Sequence, residues 1–252
     1  MLFSIAGKTA LVTGGSRGIG RMIAAGYVEA GAKVYIAARK HAASLETAEE
    51  LSTIGECVAL AADLSTEEGC RGLAEEIAGR EEKLDILVNN AGAVWAAPLA
   101  EFDDHAWDRA LSVNLKGVFY MTRFLLPLLQ ASGTAEEPAR VINIGSIDGL
   151  RPPFQETYSY SASKAGVHML TRHLAARLAP TITVNAIAPG PFESKMMHET
   201  LVVFGEQIVA SAPLKRIGRP DDMAGAAIFL ASRAGSYLTG AVIPVDGGIS
   251  TV

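Results

Sequence analysis

Short apolar runs, most ending in glycine or a polar residue, recur along the chain at residues 8–13, 33–38, 57–61, 84–88, 140–144, 181–187 and 241–245. Their length and near-continuous apolar character predict strands buried on both faces. Between them lie stretches with helical periodicity or composition, at 21–30, 44–54, 67–82, 104–130, 157–178 and 220–231. Gly31 stops the first of these helices. Pro220 opens the last, with Asp221 and Asp222 in its first turn. Residues 192–212, which include Met196, Met197, Leu201 and Phe204, predict a mobile, partly helical insertion. Strand and helix alternate throughout, which calls for an α/β fold with a parallel sheet covered on both faces. No linker, repeat or low-complexity run interrupts residues 1–252, so one domain is expected.

Chemistry gathers where strands end. The first strand runs into Gly14, Gly15, Ser16, Arg17, Gly18, Ile19 and Gly20, and a helix follows. Strand, glycine turn and helix form an arrangement that binds a pyrophosphate: glycines admit the anion, and the helix N-terminus offers free N–H groups. The spacing Gly14, Gly18, Gly20 is not the G-x-G-x-x-G of the older dinucleotide fingerprint. The second strand ends in Ala37, Ala38, Arg39 and Lys40, with no carboxylate to hold a ribose. A cation there suits a 2′-phosphate and hence NADP, and Arg17 could reach it from the other side. Asp63 and Leu64 follow the third strand; Asp63 could cap the next helix or accept from an adenine amino group. Asn89, Asn90, Ala91 and Gly92 end the fourth strand, where asparagines can hold backbone and small residues leave room for a flat group. Ser146 ends the fifth. Asn114 lies inside the 104–130 helix, a poor position for Asn that predicts a bend, a polar task, or both.

Tyr160 and Lys164 stand four apart in the 157–178 helix and so share a face. An ammonium beside a phenol favours the phenolate and draws its pKa toward working pH, making it a candidate proton donor and acceptor. Tyr158 has Ala162 at the same spacing and lacks such a partner.

Composition narrows the partners. Hydrophobic residues make up 49% and charged residues 19%, which predicts a well-filled core. A net charge of −5 argues against nucleic acid or an anionic membrane as the main partner. Cys57 and Cys70 match no metal or redox spacing and read as buried free thiols in a reducing compartment. No metal site is expected. The N-terminus lacks the basic and long apolar regions of a signal peptide, and no apolar run approaches about 18 residues. A soluble cytoplasmic protein is expected.

TGGSRGIG at residues 13–20, NNAG at 89–92, Asn114, Ser146, YSASK at 160–164, and Pro189 with Gly190 together resemble the short-chain dehydrogenases/reductases. The resemblance runs from about residue 5 onward and implies a single Rossmann-type doubly wound sheet of about seven strands. Within the family the chain looks most similar to NADPH-dependent 3-oxoacyl-[acyl-carrier-protein] reductases, including a subgroup associated with rhamnolipid precursors. That likeness implies that Tyr160 protonates a carbonyl oxygen while Lys164 holds the nicotinamide ribose and lowers the tyrosine pKa. It implies that Ser146 bonds the substrate oxygen and that Asn114 anchors a water leading to Lys164. Gly14, Gly18 and Gly20 would line the pyrophosphate with Ile19 beside it. Asp63 and Leu64 would meet the adenine, which displaces the capping role for Asp63. Asn90, Ala91 and Gly92 would flank the adenosine ribose, and Phe192, beyond Pro189 and Gly190, would lie near the carboxamide. Ser194 replaces a commoner Thr and keeps the hydroxyl.

The implied substrate is a ketone or acyl thioester, carried on an acyl carrier protein or on coenzyme A. Oxidation of a sugar, polyol or other secondary alcohol is the alternative, and a non-catalytic cofactor sensor is a remote one. The family's usual homotetramer is implied; Leu115, Val118, Met121 and Leu125 fit a packed face, and packing in the chain's own core explains them as well. Trp95, Ile147, Pro153, Phe154, Met196, Met197 and Phe204 are expected at an apolar mouth, with Arg151 near it.

Overall fold

A computed structural model describes residues 1–251. Seven parallel strands form one sheet in the order β3-β2-β1-β4-β5-β6-β7. They are β1 (Thr9–Thr13), β2 (Lys33–Ala38), β3 (Cys57–Ala61), β4 (Ile86–Asn89), β5 (Ala139–Ile144), β6 (Ile182–Pro189) and β7 (Val242–Val245). The apolar runs predict all seven, with ends that differ by a residue or two.

Alternation along each strand divides the core. Ala10, Val12, Val34, Ile36, Ile86, Val88, Ile142 and Ile144 face one layer, beneath α1 (Gly18–Glu29) and α9 (Pro220–Ala231). Leu11, Tyr35, Leu87, Val141 and Val184 face the other, beneath α3 (Glu67–Ala78) and α7 (Tyr158–Leu178). Both layers are dry and apolar, which is what a parallel sheet requires. α2 (His41–Leu51) starts earlier than the 44–54 expected, and its Thr47 hydroxyl donates to the Ser16 carbonyl at 3.0 Å. Cys57 and Cys70 are buried free thiols, and burial pushes both up to about 11.

The 104–130 helix is four pieces rather than one. α4 (Asp104–Leu111) passes into a π-helical turn (Ser112–Gly117), then α5 (Val118–Phe124) and α6 (Leu126–Ser132). Pro127 explains the last break, because a proline inside a helix removes a donor and clashes with the preceding turn. The π turn holds Asn114, so the expected bend is present. Asp63 does not cap α3: Thr66 does, accepting from the Gly69 amide at 3.0 Å. The Asp63 carboxylate accepts instead from the Ser65 amide and hydroxyl at 3.0 and 2.7 Å.

The insertion carries α8 (His198–Ser211), in which no residue is buried. Val118, Met121 and Leu125 lie in the protein's own core, so core packing rather than a subunit face accounts for them. Among the described residues no helix is long and apolar enough to cross a membrane. The sheet's direction of growth reverses between β1 and β4, and in open α/β sheets ligands bind outside the strand ends at such a point.

Candidate active site

The reversal point is held shut by two side chains. The Thr13 hydroxyl donates to the Val88 carbonyl at 3.2 Å and accepts from the Asn90 and Ala91 amides at 2.9 and 3.1 Å. The Asn90 amide group returns bonds to the Thr13 and Gly14 carbonyls at 2.8 and 3.2 Å. Asn90 therefore holds backbone, as expected. Gly14 has φ +68°, and a Cβ there would stand 2.7 Å from the Asn90 amide nitrogen. Asn89, its neighbour, turns the other way and donates to Asn143 and Thr122 at 2.9 and 3.2 Å inside the core.

Beyond this clasp α1 begins at Gly18 with no side-chain cap and no acid in its first turn. Its leading N–H groups are thus left for an anion, and the helix dipole favours one. Exposed Arg17 precedes it, and exposed Arg39 and Lys40 follow β2. Asp63 is pulled below the ordinary carboxylate range, first by its Ser65 bonds and also by Arg39 nearby. These residues fit a phosphorylated dinucleotide. Leu64 and Phe192 are buried in the core, and the Phe192 ring lies against Gly218. Ile19 packs half-buried on the same core, and Gly190 follows the end of β6 at Pro189, its amide donating to Val245.

The reacting groups come from two elements. Ser146 follows β5 and caps a short turn (Ile147–Gly149), its hydroxyl accepting from the Asp148 amide at 3.1 Å. α7 brings Tyr160 and Lys164 to the same edge. Lys164 is 4% exposed, and its ammonium donates to the Ile144 carbonyl at 2.7 Å. It lies 5.5 Å from the centre of the Tyr160 ring. Burial pulls Lys164 down to about 8, and Asp148 works against that. Burial pushes the Tyr160 phenol up to about 12, Asp148 adds to the rise, and the Ser146 hydroxyl opposes it.

That direction differs from the expectation of a phenol drawn down by Lys164: burial is the largest cause, and the charge acting on the phenol is the Asp148 carboxylate, which raises it further. Asp148 is the ionisable group that sequence reasoning missed. Its own carboxyl is raised by burial, with Arg151 and Lys164 pulling it down.

Asn114 is fully buried and tightly bonded. Its Oδ1 accepts from the Ala93 amide at 2.8 Å, and its Nδ2 donates to the Ala93 carbonyl and the Ser163 hydroxyl at 2.9 Å each. Ser163 in turn donates to the Tyr160 carbonyl at 2.6 Å. Asn114 thus ties the loop after β4 to the tyrosine's own turn of α7. A Cβ on Gly92 would approach Asn114 Oδ1 to 3.3 Å and the Lys164 ammonium to 3.8 Å. For a water-anchoring role the side chain retains one lone pair of Oδ1. Ser163 was legible only as part of the YSASK motif, not as a link.

Around the mouth, Phe154 and Phe204 meet edge-on at 5.4 Å, and Gln155 donates to Thr200 at 3.1 Å. Met196, Val202 and Val203 are exposed nearby in sequence. Trp95 lies against His105 and beneath the Arg109 guanidinium. Ile147 is buried with Ala212 and Ile249 instead of lining the opening.

The family described as enoyl-(acyl carrier protein) reductase matches residues 14–250. A rhamnolipids biosynthesis 3-oxoacyl-[acyl-carrier-protein] reductase of Pseudomonas aeruginosa is 49% identical, covering 98% of this chain and 97% of its own. A galactitol 2-dehydrogenase (L-tagatose-forming) of Cereibacter sphaeroides is 38% identical over 98% of this chain and 96% of its own. The solved Pseudomonas aeruginosa RhlG/NADP active-site complex superposes with a TM-score of 0.96 at 49% identity, covering 99% of this chain and 98% of that one. With the motif residues gathered at one sheet edge and the likeness running almost end to end, this chain belongs to the short-chain dehydrogenase/reductase family.

Proposed function

We propose that the protein is an NADPH-dependent ketoreductase that converts a 3-oxoacyl thioester to the 3-hydroxyacyl product. The observation that carries this reading is the convergence of the Ser146 hydroxyl and the Tyr160 phenol beside the buried Lys164 ammonium at the end of β5. The uncapped start of α1 would hold the pyrophosphate, and Arg39 with Arg17 the 2′-phosphate. NADPH supplies hydride to the carbonyl carbon when bound.

The chain's own residues do the rest. Ser146 donates to the carbonyl oxygen, where negative charge grows as the bond is reduced. Tyr160 gives that oxygen its proton; a phenol held near 12 is fully protonated at neutral pH and ready to donate. Lys164 bears the positive charge that steadies the resulting phenolate until a proton returns. Asn114, through Ser163, fixes the turn of α7 from which Tyr160 projects.

The exposed apolar side chains at the mouth support an acyl chain, and the 49% identical relative bears a 3-oxoacyl name. The galactitol dehydrogenase relative supports the second reading, oxidation of a polyol or sugar. Of the basic residues considered for receiving an acidic carrier, Arg151 is near the site. Arg172 sits twelve residues beyond Tyr160, roughly 18 Å along the helix. Exposed Phe119 on α5 and Met169 on α7 support a homotetramer, and a cytoplasmic location fits the free thiols.

Five outcomes are expected. NADPH absorbance with acetoacetyl-CoA, longer 3-oxoacyl thioesters, their carrier-protein forms and galactitol with NADP ranks the substrates. Thioesters should lead, and a higher kcat/KM for galactitol would replace this reading by the second. Tyr160→Phe should lower kcat by roughly 100- to 10,000-fold with NADPH binding retained; equal rates would remove Tyr160 from the mechanism. Arg39→Asp should cost NADPH roughly 10- to 100-fold in kcat/KM while sparing NADH; an unchanged ratio of the two efficiencies would refute the phosphate assignment.

Asp148→Asn bears on pH. The Asp148 charge raises both Tyr160 and Lys164, so its loss should move the alkaline rise of alcohol oxidation, and the matching fall of ketone reduction, to lower pH. Rate profiles carried from neutral pH to the alkaline limit of the folded protein check the direction. Light scattering on the purified protein should give four times the chain mass; a monomer would exclude the tetramer.

A further inference from the structure

One buried titratable group has no part in the steps above. His168 follows Lys164 by one helical turn, so Tyr160, Lys164 and His168 lie along one face of α7. It is 3% exposed, and neither ring nitrogen has a well-formed hydrogen bond, the Gly149 backbone being the nearest polar group that acts on it. Burying an unpartnered polar ring is costly, so its neighbours are informative. They are two glycines. A Cβ on Gly145 would overlap the ring at Nε2 and come within 2.7 Å of Cδ2; a Cβ on Gly149 would meet the α7 backbone at Lys164 and Ala165 at 2.7 Å and the ring Cε1 at 2.9 Å. The ring therefore fills the space left at Gly145, while Gly149 rests against both the ring and the α7 backbone; the two glycines bracket Ser146, Ile147 and Asp148. Burial pulls the imidazole down to about 4; the Gly149 carbonyl opposes this, while Lys164 and Arg172 add to it. The wedge is thus uncharged at working pH.

We propose that His168 is a positioning residue for Ser146: its ring, seated between Gly145 and Gly149, sets the distance of the Ser146 turn from α7 and so aims the serine hydroxyl at Tyr160. The proposal rests on the reading that Ser146 and Tyr160 act together on the carbonyl oxygen. A side chain that only filled space would affect stability alone. A positioning residue also affects the tyrosine's titration, because the Ser146 hydroxyl favours the phenolate.

The test is a cycle of His168→Ala, Gly145→Ala and the double variant, with Tyr160→Phe as control. His168→Ala should lower kcat for ketone reduction by roughly 10- to 100-fold. Its KM for NADPH should stay near wild type, and the alkaline rise of alcohol oxidation should move to higher pH. Gly145→Ala should do the same, since the added methyl displaces the turn from the same ring. The double variant should recover kcat above either single variant, because the methyl enters the space the ring leaves; the next nearest atom to it is the Ile187 carbonyl oxygen at 3.3 Å.

Additive losses, or a lower melting temperature with an unchanged rate and pH profile, would overturn the proposal. Should His168→Ala fail to fold, Gly145→Ala alone decides: a folded variant with normal kcat and an unmoved alkaline limb refutes it. Failure of the underlying reading looks different, because Tyr160→Phe would then keep its activity and both would fall together.

Discussion

The site is built around one cation held out of water. Lys164 lies almost wholly inside the protein, and its hydrogen-bond partner is a backbone carbonyl rather than a carboxylate. Burial on these terms is expensive, and the lowered pKa expresses the cost. Such a group persists where a later negative charge will answer it. Phenolate at Tyr160 is that charge in the proposed reaction, so the resting protein holds the two partners in their unpaired forms. A protonated phenol and a strained ammonium are the starting point for proton donation, and the pair becomes mutually stabilising only after the proton has left.

This arrangement needs rigid support, and three polar ties supply it. Thr13 and Asn90 close the gap between β1 and β4, where the sheet reverses. Asn114 and Ser163 join the loop after β4 to the Tyr160 turn. Asn89, Asn143 and Thr171 carry a buried bond chain from β4 through β5 to α7. Each tie runs between elements distant in sequence, so α7 is registered against the sheet by directional contacts as well as by packing. The π turn at Asn114 belongs to the same scheme. A regular helix would carry the side chain past the loop it clamps, and the wider turn brings it back.

Much of this was legible from spacing. Tyr160 and Lys164 read as one face of a helix because helical geometry fixes positions four apart wherever the helix lies. The seven strands read as strands because burial on both faces leaves an apolar signature that no tertiary detail erases. What was not legible depends on contacts across the fold. Asp148 lies in a short turn, and only the fold sets it beside α7, where it adds to the rise that burial imposes on Tyr160. His168 looked like one more helix position, and Gly145 and Gly149 like turn glycines, because their meaning is mutual. Asp63 matched a capping residue as well as Thr66 did; only the start of α3 chose between them. Pro127 was a visible breaker that the strong apolar run around it obscured.

The substrate is harder to read than the chemistry for a related reason. The framework around the candidate reacting groups is pinned by directional bonds, three of them at Asn114 and one each at Lys164 and Ser146, so substitutions there disturb the fold. α8 buries none of its residues, and the pair of Phe154 and Phe204 with the bond from Gln155 to Thr200 ties the preceding loop to it. A helix so lightly held can exchange its side chains with little effect on the sheet below. Relatives named as a 3-oxoacyl-[acyl-carrier-protein] reductase and a galactitol 2-dehydrogenase match nearly the whole chain at 49% and 38% identity. In this chain a change of ligand would cost the fold least where packing constrains least, along the rim formed by α8 and the loop beside it.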